Sequence, residues 1–492
     1  LHEAGELRTS LTRPSLEGMP AADERSLNRQ RIDDALWRHW RNRILPERGQ
    51  QVEPLRLDTV HLVDFPAFLP SSFCAQVDSL ELRNVVSSNI FERAPGGEIL
   101  ESGTWMNLIV DFPGLTTLDI RGGNWPLHSL SSIARRLPRL EELRLTDLHL
   151  RIGQLELDHL SLLSGLRRLD LSGNSLNEME IIGLAGQQLD FLGLDRCGFE
   201  RWPLWLDSTT LSRMREVSLV GNYLTDLPAE ALLNAGNRAQ PVRLHLANNR
   251  FTWRNFVEMR LSEQQGNGFS YVLDIPENLN GRIERVLLER SRLDTALNEW
   301  VGAQPSQGLL TGEQVEARRG AANAMLAFWR EDLAIGRSPL LRLEQLALDH
   351  FTADLPVTFC LRVRRLDLIL PSGSSASLGR LLQRFTHLEE LRISGVETPL
   401  GELPEALHGL RSLRDLSLVN VGLLVDQSVM DFLAKIRSLT YLQLDGNRLG
   451  AITDMTAWHG RSQMSLSLAT MGLETWPQWL NELLPQLSLI HI

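Results

Sequence analysis

The chain of 492 residues is 43% hydrophobic, and its 50 basic and 61 acidic residues give a formal net charge of −11. An acidic balance argues against a general nucleic-acid-binding surface, because such a surface needs an excess of lysine and arginine. The sequence has no run of about 18 apolar residues, so it predicts no integral membrane segment.

Cysteine usage points to a reducing compartment. The chain has three cysteines, Cys74, Cys197 and Cys360. Their number is odd and none belongs to a Cys-x-x-Cys pair, which disfavours both a disulfide framework and a zinc site.

Residues 1–51 are predicted to form an N-terminal linker and an amphipathic capping helix. Ile32, Leu36, Trp40 and Ile44 recur every four residues, which places them on one face of a helix, and Pro46 ends it. We expect this face to cover the first repeat. A basic amphipathic helix with tryptophans could instead lie on a membrane surface, and this alternative stays open.

Residues 52–251 repeat one short pattern, which is clearest in Leu166–Leu176, LRRLDLSGNSL. Leu169 and Leu171 are two residues apart, so both side chains point to one face of a strand. Asn174 is expected to turn inward after the strand, where its amide would satisfy backbone groups of neighbouring coils. One unit cannot bury its own apolar face but stacked copies can, as in a leucine-rich-repeat solenoid.

The central leucine of each Leu-x-Leu pair marks a repeat, and most markers lie 23–27 residues apart. The wider interval before Leu118 contains residues 93–107, which we interpret as a loop. Cys197 takes the turn position that Asn174 has in its own repeat, so we expect it to be structural. The first-array markers are Leu55, Leu80, Leu118, Leu143, Leu169, Leu192, Val217 and Leu244.

Residues 252–342 lose this rhythm and are predicted to be a degenerate repeat followed by a helical spacer. Ile283–Leu293 still resembles a repeat. Asp294 is expected to cap a helix. Thr311 and Gln314 are predicted to form the capping box of a further helix that stops near Gly336.

Residues 343–486 are predicted to be a second array. Three of its markers follow counterparts in the first array by 273 residues and a fourth by 274, which indicates duplication of a block of repeats. The predicted fold class is therefore α/β: a leucine-rich-repeat solenoid of two tandem arrays, with parallel strands on the concave face and a helical spacer. The second-array markers are Leu346, Leu366, Leu391, Leu416, Leu442 and Leu466.

Residues 487–492, LSLIHI, resemble the translated end of a sequencing-library adapter. We expect them to be an artefact and the chain to be a fragment open at both ends. An ordinary apolar tail is the alternative interpretation.

Exposed strand positions on the concave face of such a solenoid form an extended binding surface, so a protein partner is expected. Arginine and aromatic side chains, which interfaces favour, occur among them. No P-loop, Gly-x-Ser-x-Gly or His-Glu-x-x-His motif occurs, so the sequence predicts no cofactor, no metal site and no catalytic site in this chain. The candidate binding residues are Arg144, Arg168, Asp170, Phe191, Glu216, Tyr223, Arg243 and His245.

The run LxxLxLSxNxLxxLP and the signature WPxWL resemble the repeat regions of large bacterial effectors of the NEL (novel E3 ligase) type. The resemblance covers most of residues 52–480. It implies that the repeats bind a host target, and that a cysteine of a following ligase domain transfers ubiquitin. It also implies secretion, or delivery into the reducing host cytoplasm. None of the three cysteines matches the Cys-x-Asp motif of that group, so a ligase domain is expected only beyond residue 492.

Two other hypotheses stay open at this point. The chain could be a stand-alone binding or adhesion protein without a ligase domain, or an enzyme that uses one of its three cysteines as the nucleophile. The complete gene would separate the effector from the stand-alone protein, and a measured thiol pKa would test the enzyme.

Overall fold

The computed structural model describes residues 5–8, 22–44, 53–59, 61, 64–66, 69–86, 112–124, 129–176, 188–227, 240–266, 268–304, 310–335, 338–396, 399–461, 464–473 and 476–491. It forms two compact units, Leu1–Asn280 and Gly281–Ile492. Among the described helices, none is both long and apolar enough to cross a bilayer.

The first unit is built on a parallel sheet of nine strands, in which each strand pairs with the next main strand along the chain. Stacked repeats require this order, because each coil returns behind the sheet before the next strand begins. The nine strands are β1 Leu55–Asp58, β2 Ser79–Val86, β3 Thr117–Asn124, β4 Glu142–Thr146, β6 Arg168–Asp170, β8 Phe191–Gly193, β9 Glu216–Ser218, β10 Val242–His245 and β11 Phe269–Val272.

Short elements complete the coils of this unit. A small second sheet pairs β5 Arg151–Ile152 with β7 Ser175–Leu176. The helices are α1 Ala22–Ile44, α2 Ser71–Cys74, α3 Ser129–Arg136, α4 Gln154–Leu160, α5 Ser208–Leu211 and α6 Trp253–Gln264.

The predicted register of the first array is confirmed. Leu143 pairs with Leu169, and Leu169 pairs with Leu192, so marker leucines stand side by side along the sheet. Every marker from Leu55 to Leu244 follows the same rule and is at most 1% exposed. Each buried leucine side chain contributes about 1.5–3 kcal/mol, so the stacked column is the main source of stability.

The predicted role of the turn asparagine is also confirmed. The Asn174 Oδ1 accepts from the backbone N–H groups of Leu148 and Leu150 at 3.2 and 3.0 Å. Its Nδ2 donates to the carbonyls of Leu145 and Leu171 at 2.7 and 2.9 Å. Asparagine suits this buried corner because one side chain both donates and accepts hydrogen bonds there.

The second unit repeats the architecture with a parallel sheet of seven strands in sequence order. Its strands are β12 Leu340–Glu344, β13 Arg365–Ile369, β14 Glu390–Ser394, β15 Asp415–Val419, β17 Tyr441–Gln443, β19 Met464–Ser467 and β20 Leu487–His491; the pair β16 Leu424–Val425 and β18 Arg448–Leu449 lies outside it. Its helices, including the one that begins just before the unit boundary, are α7 Glu277–Gly302, α8 Gly312–Ile335, α9 Val357–Arg362, α10 Ser375–Leu382, α11 Gln427–Ala434 and α12 Leu480–Leu483, with 3-10 turns at Leu348–His350, Glu405–Gly409, Thr456–Trp458 and Leu484–Gln486.

The predicted marker Leu346 is wrong. Leu341 is the residue that pairs with Leu366, and Leu343 pairs with Leu368. The sequence offers two successive Leu-x-Leu pairs here, Leu341-x-Leu343 and Leu346-x-Leu348, and the upstream pair gives the 25-residue spacing that a complete coil needs. The remaining second-array markers pair in the predicted register.

Strand β11 was not predicted from the sequence. Tyr271 pairs with the marker Leu244, and Phe269 and Tyr271 are both buried, so one more coil closes the first array. Aromatic residues take the positions that leucines hold in the other strands, so the Leu-x-Leu pattern does not identify this strand.

The interpretation of Ile283–Leu293 as a degenerate repeat is wrong, because this segment lies inside the helix α7. Its buried residues recur at helical spacing, as Ile283, Val286 and Leu293 show. Asp294 lies within the same helix and forms an ion pair with Arg290 at 2.9 Å, so it is no N-terminal cap.

The predicted capping box of α8 is confirmed. The Gln314 side chain accepts from the Thr311 N–H at 3.0 Å, and the Thr311 hydroxyl accepts from the Gln314 N–H at 3.3 Å. The helix ends at Ile335, and the expected stop at Gly336 lies outside the described residues.

A buried polar network ties α7 and α8 to the second array. The Glu289 carboxylate accepts from the Trp329 indole N–H at 3.0 Å and from the Arg362 guanidinium at 2.9 Å. The Trp300 indole N–H donates to the His350 carbonyl at 2.9 Å. The two helices therefore cover the first coil of this array.

The helix α1 covers the first coil of the first array, as α7 and α8 cover the first coil of the second array. Ile32 and Leu36 are buried, and Asn28 donates to the Asp64 carboxylate at 2.9 Å.

Three other predictions concern residues 93–107, residues 487–492 and the division of the chain into five parts. The interpretation of residues 93–107 as a loop lies outside the described residues. Leu487–His491 pairs with β19 as the last strand, and the expected adapter origin of residues 487–492 stays a prediction. The five-part division of the chain also stays a prediction, and the boundary between the compact units falls inside α7.

Candidate protein-binding surface

The sheet of the first array presents two rows of side chains on the face opposite the leucine core. One row stands immediately before the marker of each strand, and the register aligns its members as direct neighbours. The second row stands immediately after the marker. The predicted residues of the first row are Arg168, Phe191, Glu216 and Arg243, and those of the second row are Arg144, Asp170 and His245.

Arg168 is held between an aromatic ring and a carboxylate. Its guanidinium lies 4.6 Å from the centre of the Phe191 ring, and its Nε lies 3.6 Å from the Glu142 carboxylate. Arg144 contacts the same carboxylate at 2.5 Å. The surface is therefore an ordered array of paired charges around one half-buried aromatic ring.

Asp170 lies against a strand position that has to be glycine. Its Oδ1 accepts from the Ser172 N–H at 3.1 Å and from the Ser172 hydroxyl at 2.6 Å. A Cβ built on Gly193 would lie 2.7 Å from the Asp170 Cγ and 3.1 Å from the Phe191 ring. Gly193 thus makes room for both side chains to lean across β8.

His245 and Arg243 lie at the far end of the rows, on β10. The His245 Nε2 lies 2.6 Å from the Glu216 carboxylate. Arg243 is the direct neighbour of Glu216 in the sheet and is exposed. Among the described residues, no carboxylate forms an ion pair with Arg243, so its charge faces solvent.

The prediction that Tyr223 occupies a strand position is wrong. β9 ends at Ser218, and Tyr223 follows the turn residue Asn222. Its ring is 46% exposed and is stacked under the Arg250 guanidinium at 4.4 Å. Tyr223 is therefore displaced from the two rows into the loop beyond the strand ends.

The structure adds residues that were not predicted from the sequence. A recess of about 290 Å³ crosses the strand starts of this array, and Asp190 joins Arg167 and Arg215 on its wall at 3.5 and 3.1 Å. The regular repeat spacing could have identified these positions, since each stands one or two residues before a marker. The recess is lined by Thr117, Glu141, Glu142, Arg167, Arg168, Asp190, Arg215 and Glu216.

The second array carries a matching surface for which no residues were predicted. Its first row aligns Arg365, Glu390, Asp415 and Tyr441 as direct neighbours. A recess of about 200 Å³ lies at these strands, with Arg392 and Ser417 completing its lining. The 273-residue offset between the arrays was the signal that could have found it.

The cysteines are placed as packing residues. All three are buried, and burial raises the pKa of Cys197 to about 12 and that of Cys360 to about 11. The Cys197 sulfur lies 3.6 Å from the Leu171 carbonyl, at the turn position where other repeats have asparagine. A thiolate nucleophile is disfavoured at neutral pH in both settings.

Within the part of the chain that the structure describes, no three His, Cys, Asp or Glu side chains are grouped so that they could hold a metal ion.

No family model and no curated protein matches the chain. Solved structures share its repeat architecture at low similarity. An internalin of Listeria monocytogenes is 14% identical over 92% of this chain and 98% of its own, with a TM-score of 0.28. A leucine-rich-repeat protein of Leptospira interrogans is 15% identical over 86% of this chain and 92% of its own, with a TM-score of 0.27.

The mouse RP105/MD-1 complex is similar at 14% identity over 73% of this chain and 71% of the other, with a TM-score of 0.25. TM-scores this low carry no functional information. The assignment of a leucine-rich-repeat fold rests on the strand register and the turn asparagines of the chain itself.

Proposed function

We propose that the chain is a protein-recognition module and that the sheet face of the first array binds a partner protein. The observation that carries this proposal is the pair of aligned rows from Arg144 to His245. Their side chains stand on a rigid parallel sheet and are held in place by ion pairs and by the Arg168–Phe191 stack. A preorganised surface loses little side-chain entropy on binding.

Two residues of this face are best suited to bind the partner. Phe191 offers a half-buried ring, and Arg243 offers a cation that no carboxylate of the described residues neutralises. Aromatic and arginine side chains contribute disproportionately to the energy of protein interfaces.

The proposal is tested with peptides selected from a random 12-residue phage library on the full chain. The selected peptides should bind the double variant Phe191→Ala, Arg243→Ala at least about tenfold more weakly, which corresponds to a loss of about 1.4 kcal/mol. Leu204→Ala is the matched control, since Leu204 is 85% exposed and lies away from the strands. Equal binding to both variants would disprove recognition by this face.

The finer proposal is that this module supplies target recognition to a secreted bacterial effector of the NEL type. It is supported by the LxxLxLSxNxLxxLP run and the WPxWL signature. Delivery into a reducing host cytoplasm agrees with three buried cysteines that form no disulfide.

The complete gene tests the finer proposal. A downstream helical domain with a Cys-x-Asp motif would support the effector, whereas its absence would favour the stand-alone binding or adhesion protein. With ubiquitin and its activating and conjugating enzymes, the 492-residue chain itself should form no ubiquitin thioester. A thioester on Cys197 would make this chain an enzyme and overturn the assignment.

A further inference from the structure

The duplication provides an internal comparison for the recess of the second array. Positions 273 residues apart occupy the same place in the two sheets, so Thr117 corresponds to Glu390 and Glu142 corresponds to Asp415. Both acids lie in the row before the marker. Any difference between their surroundings therefore reflects a change of side chains on a common backbone.

In the first array, the acid is neutralised within the chain. Arg144 and Arg168 contact the Glu142 carboxylate at 2.5 and 3.6 Å, and its neighbour on the preceding strand is the uncharged Thr117. Glu142 therefore has two cations within contact distance and no carboxylate directly beside it in the row.

In the second array, neither of the positions that correspond to Arg144 and Arg168 carries an arginine. Ser417 stands where Arg144 stands and Tyr441 stands where Arg168 stands. Among the described residues, no basic side chain forms an ion pair with Asp415, and its one hydrogen-bond donor is the Thr440 hydroxyl at 3.5 Å. Asp415 is thus an acid at the same position as Glu142 but without the two arginines that Glu142 contacts.

A second carboxylate, that of Glu390, lies beside Asp415 where the first array has the uncharged Thr117. Glu390 is the direct sheet neighbour of Asp415 and is 8% exposed. It is contacted by Arg365 at 2.7 Å and by Arg392 at 2.5 Å. Burial and the Glu390 charge raise the pKa of Asp415, whereas the Thr440 hydrogen bond and the charges of Arg392 and Arg414 lower it; on balance the pKa is raised.

We propose that the recess lined by Glu390, Leu391, Arg392, Asp415, Ser417 and Tyr441 binds an arginine side chain of a partner protein through Asp415 and Tyr441. The inference rests on the proposed recognition function and assigns the second array its own ligand. A volume of about 200 Å³ is that of about six waters at about 30 Å³ each, which suits one long side chain.

The lining selects the kind of cation. A divalent metal ion needs several oxygen ligands, and the Glu390 carboxylate beside Asp415 is already contacted by Arg365 and Arg392. A guanidinium can bind the Asp415 carboxylate through two parallel hydrogen bonds and lie against the Tyr441 ring. A lysine ammonium would form the ion pair but would lose the planar stacking.

The test uses Nα-acetyl-argininamide as the probe and saturation-transfer NMR on the full chain. The wild-type chain should give a saturable signal, and Asp415→Asn should weaken binding about tenfold, because a charge-assisted hydrogen bond is lost. The citrulline analogue, which is the uncharged isostere, should bind as weakly to the wild type as the arginine probe binds to Asp415→Asn. Asp354→Asn is the matched control, since Asp354 is exposed and lies outside the strands, and it should leave the signal unchanged.

Ser417→Arg provides an independent test with little risk to the fold, since arginine already occupies the equivalent position at Arg144. The new cation should neutralise Asp415 and abolish probe binding. Conversely, Arg144→Ser combined with Arg168→Tyr should create a second site at Glu142.

Undiminished binding by Asp415→Asn or by Ser417→Arg, or no saturable signal from the wild type, would overturn the inference. Tighter binding of the lysine analogue would overturn the choice of arginine. Each of these results leaves the Phe191 and Arg243 test of the first array unaffected.

Discussion

Asn174→Ala should destabilise the first array by about 4 kcal/mol. The side chain makes four hydrogen bonds of 2.7–3.2 Å to backbone groups of two neighbouring coils. Each bond contributes on the order of 1 kcal/mol, and the groups left behind are buried, so water cannot replace the lost partner without opening the corner. Asn174 itself is 3% exposed.

The matched comparison is Cys197→Ala at the equivalent turn. The thiol makes only long sulfur contacts of 3.6 and 3.5 Å to two carbonyls, so its loss should cost about 1 kcal/mol. Asn323→Ala, an exposed change within α8, should be neutral or slightly stabilising, since alanine is the better helix former.

Equilibrium unfolding in urea measures these differences. At about 2 kcal/mol per molar urea, a loss of about 4 kcal/mol lowers the midpoint of the first-array transition by about 2 M. Hydrogen exchange over residues 143–176 should show faster opening of the same coils. If Asn174→Ala and Cys197→Ala lower the midpoint equally, the asparagine does not stabilise the corner through its hydrogen bonds.

Three further predictions concern the core, the thiols and pH. Leu169→Asp and Leu442→Asp should each prevent the folding of their own array, because an unpaired carboxylate would replace a fully buried leucine; a wild-type circular-dichroism melt for either variant would contradict the register. Cys197, with its pKa raised to about 12, should resist iodoacetamide at pH 8 in the native chain and react in urea, as mass spectrometry would show. Asp415→Asn should raise the urea midpoint at pH 7, because burial and the Glu390 charge raise the pKa of Asp415 and its charged form therefore destabilises the fold. This gain should fade as the pH falls to about 4, the ordinary pKa of an aspartate in the unfolded chain, because protonation then removes the destabilising charge from the parent.

The sequence was sufficient to predict the repeat register, and the reason is physical. A strand with leucines two residues apart and an inward-facing asparagine three residues later has one way to bury both, so Leu169, Leu171 and Asn174 determine their own coil. The same argument does not predict strands in which other residue types replace the leucines. Phe269 and Tyr271 fill leucine positions, and nothing in the pattern distinguishes them from a loop.

The binding surface was predictable in part. Alternation along each strand correctly placed Arg168 and Phe191 on the sheet face. It could not tell where a strand ends, and for this reason Tyr223 was assigned to β9, which ends at Ser218. Ion pairs depend on distances between side chains of neighbouring strands. The sequence alone therefore could not show that Glu142 is paired with two arginines whereas Asp415 is not.

The two arrays are alike where they begin and unlike where they are expected to bind. On the first two strands of each, an arginine on the edge strand contacts an acid on the next: Arg56 contacts Glu81 at 2.9 Å, and Arg342 contacts Asp367 at 3.9 Å. The marker column and the turn amides are also kept, as Asn447 shows by bonding the Leu418 and Leu444 carbonyls at 2.6 and 2.8 Å.

On the following strands, by contrast, charge is removed, exchanged or added at several face positions. Arg392 replaces Asp119, and Tyr441 replaces Arg168. Substitutions confined to the face cost the fold little, since most of its stability lies in the leucine column, but they change what the surface attracts. A duplicated solenoid can therefore acquire a second specificity without a new fold, and the unpaired Asp415 is where the two specificities differ most sharply.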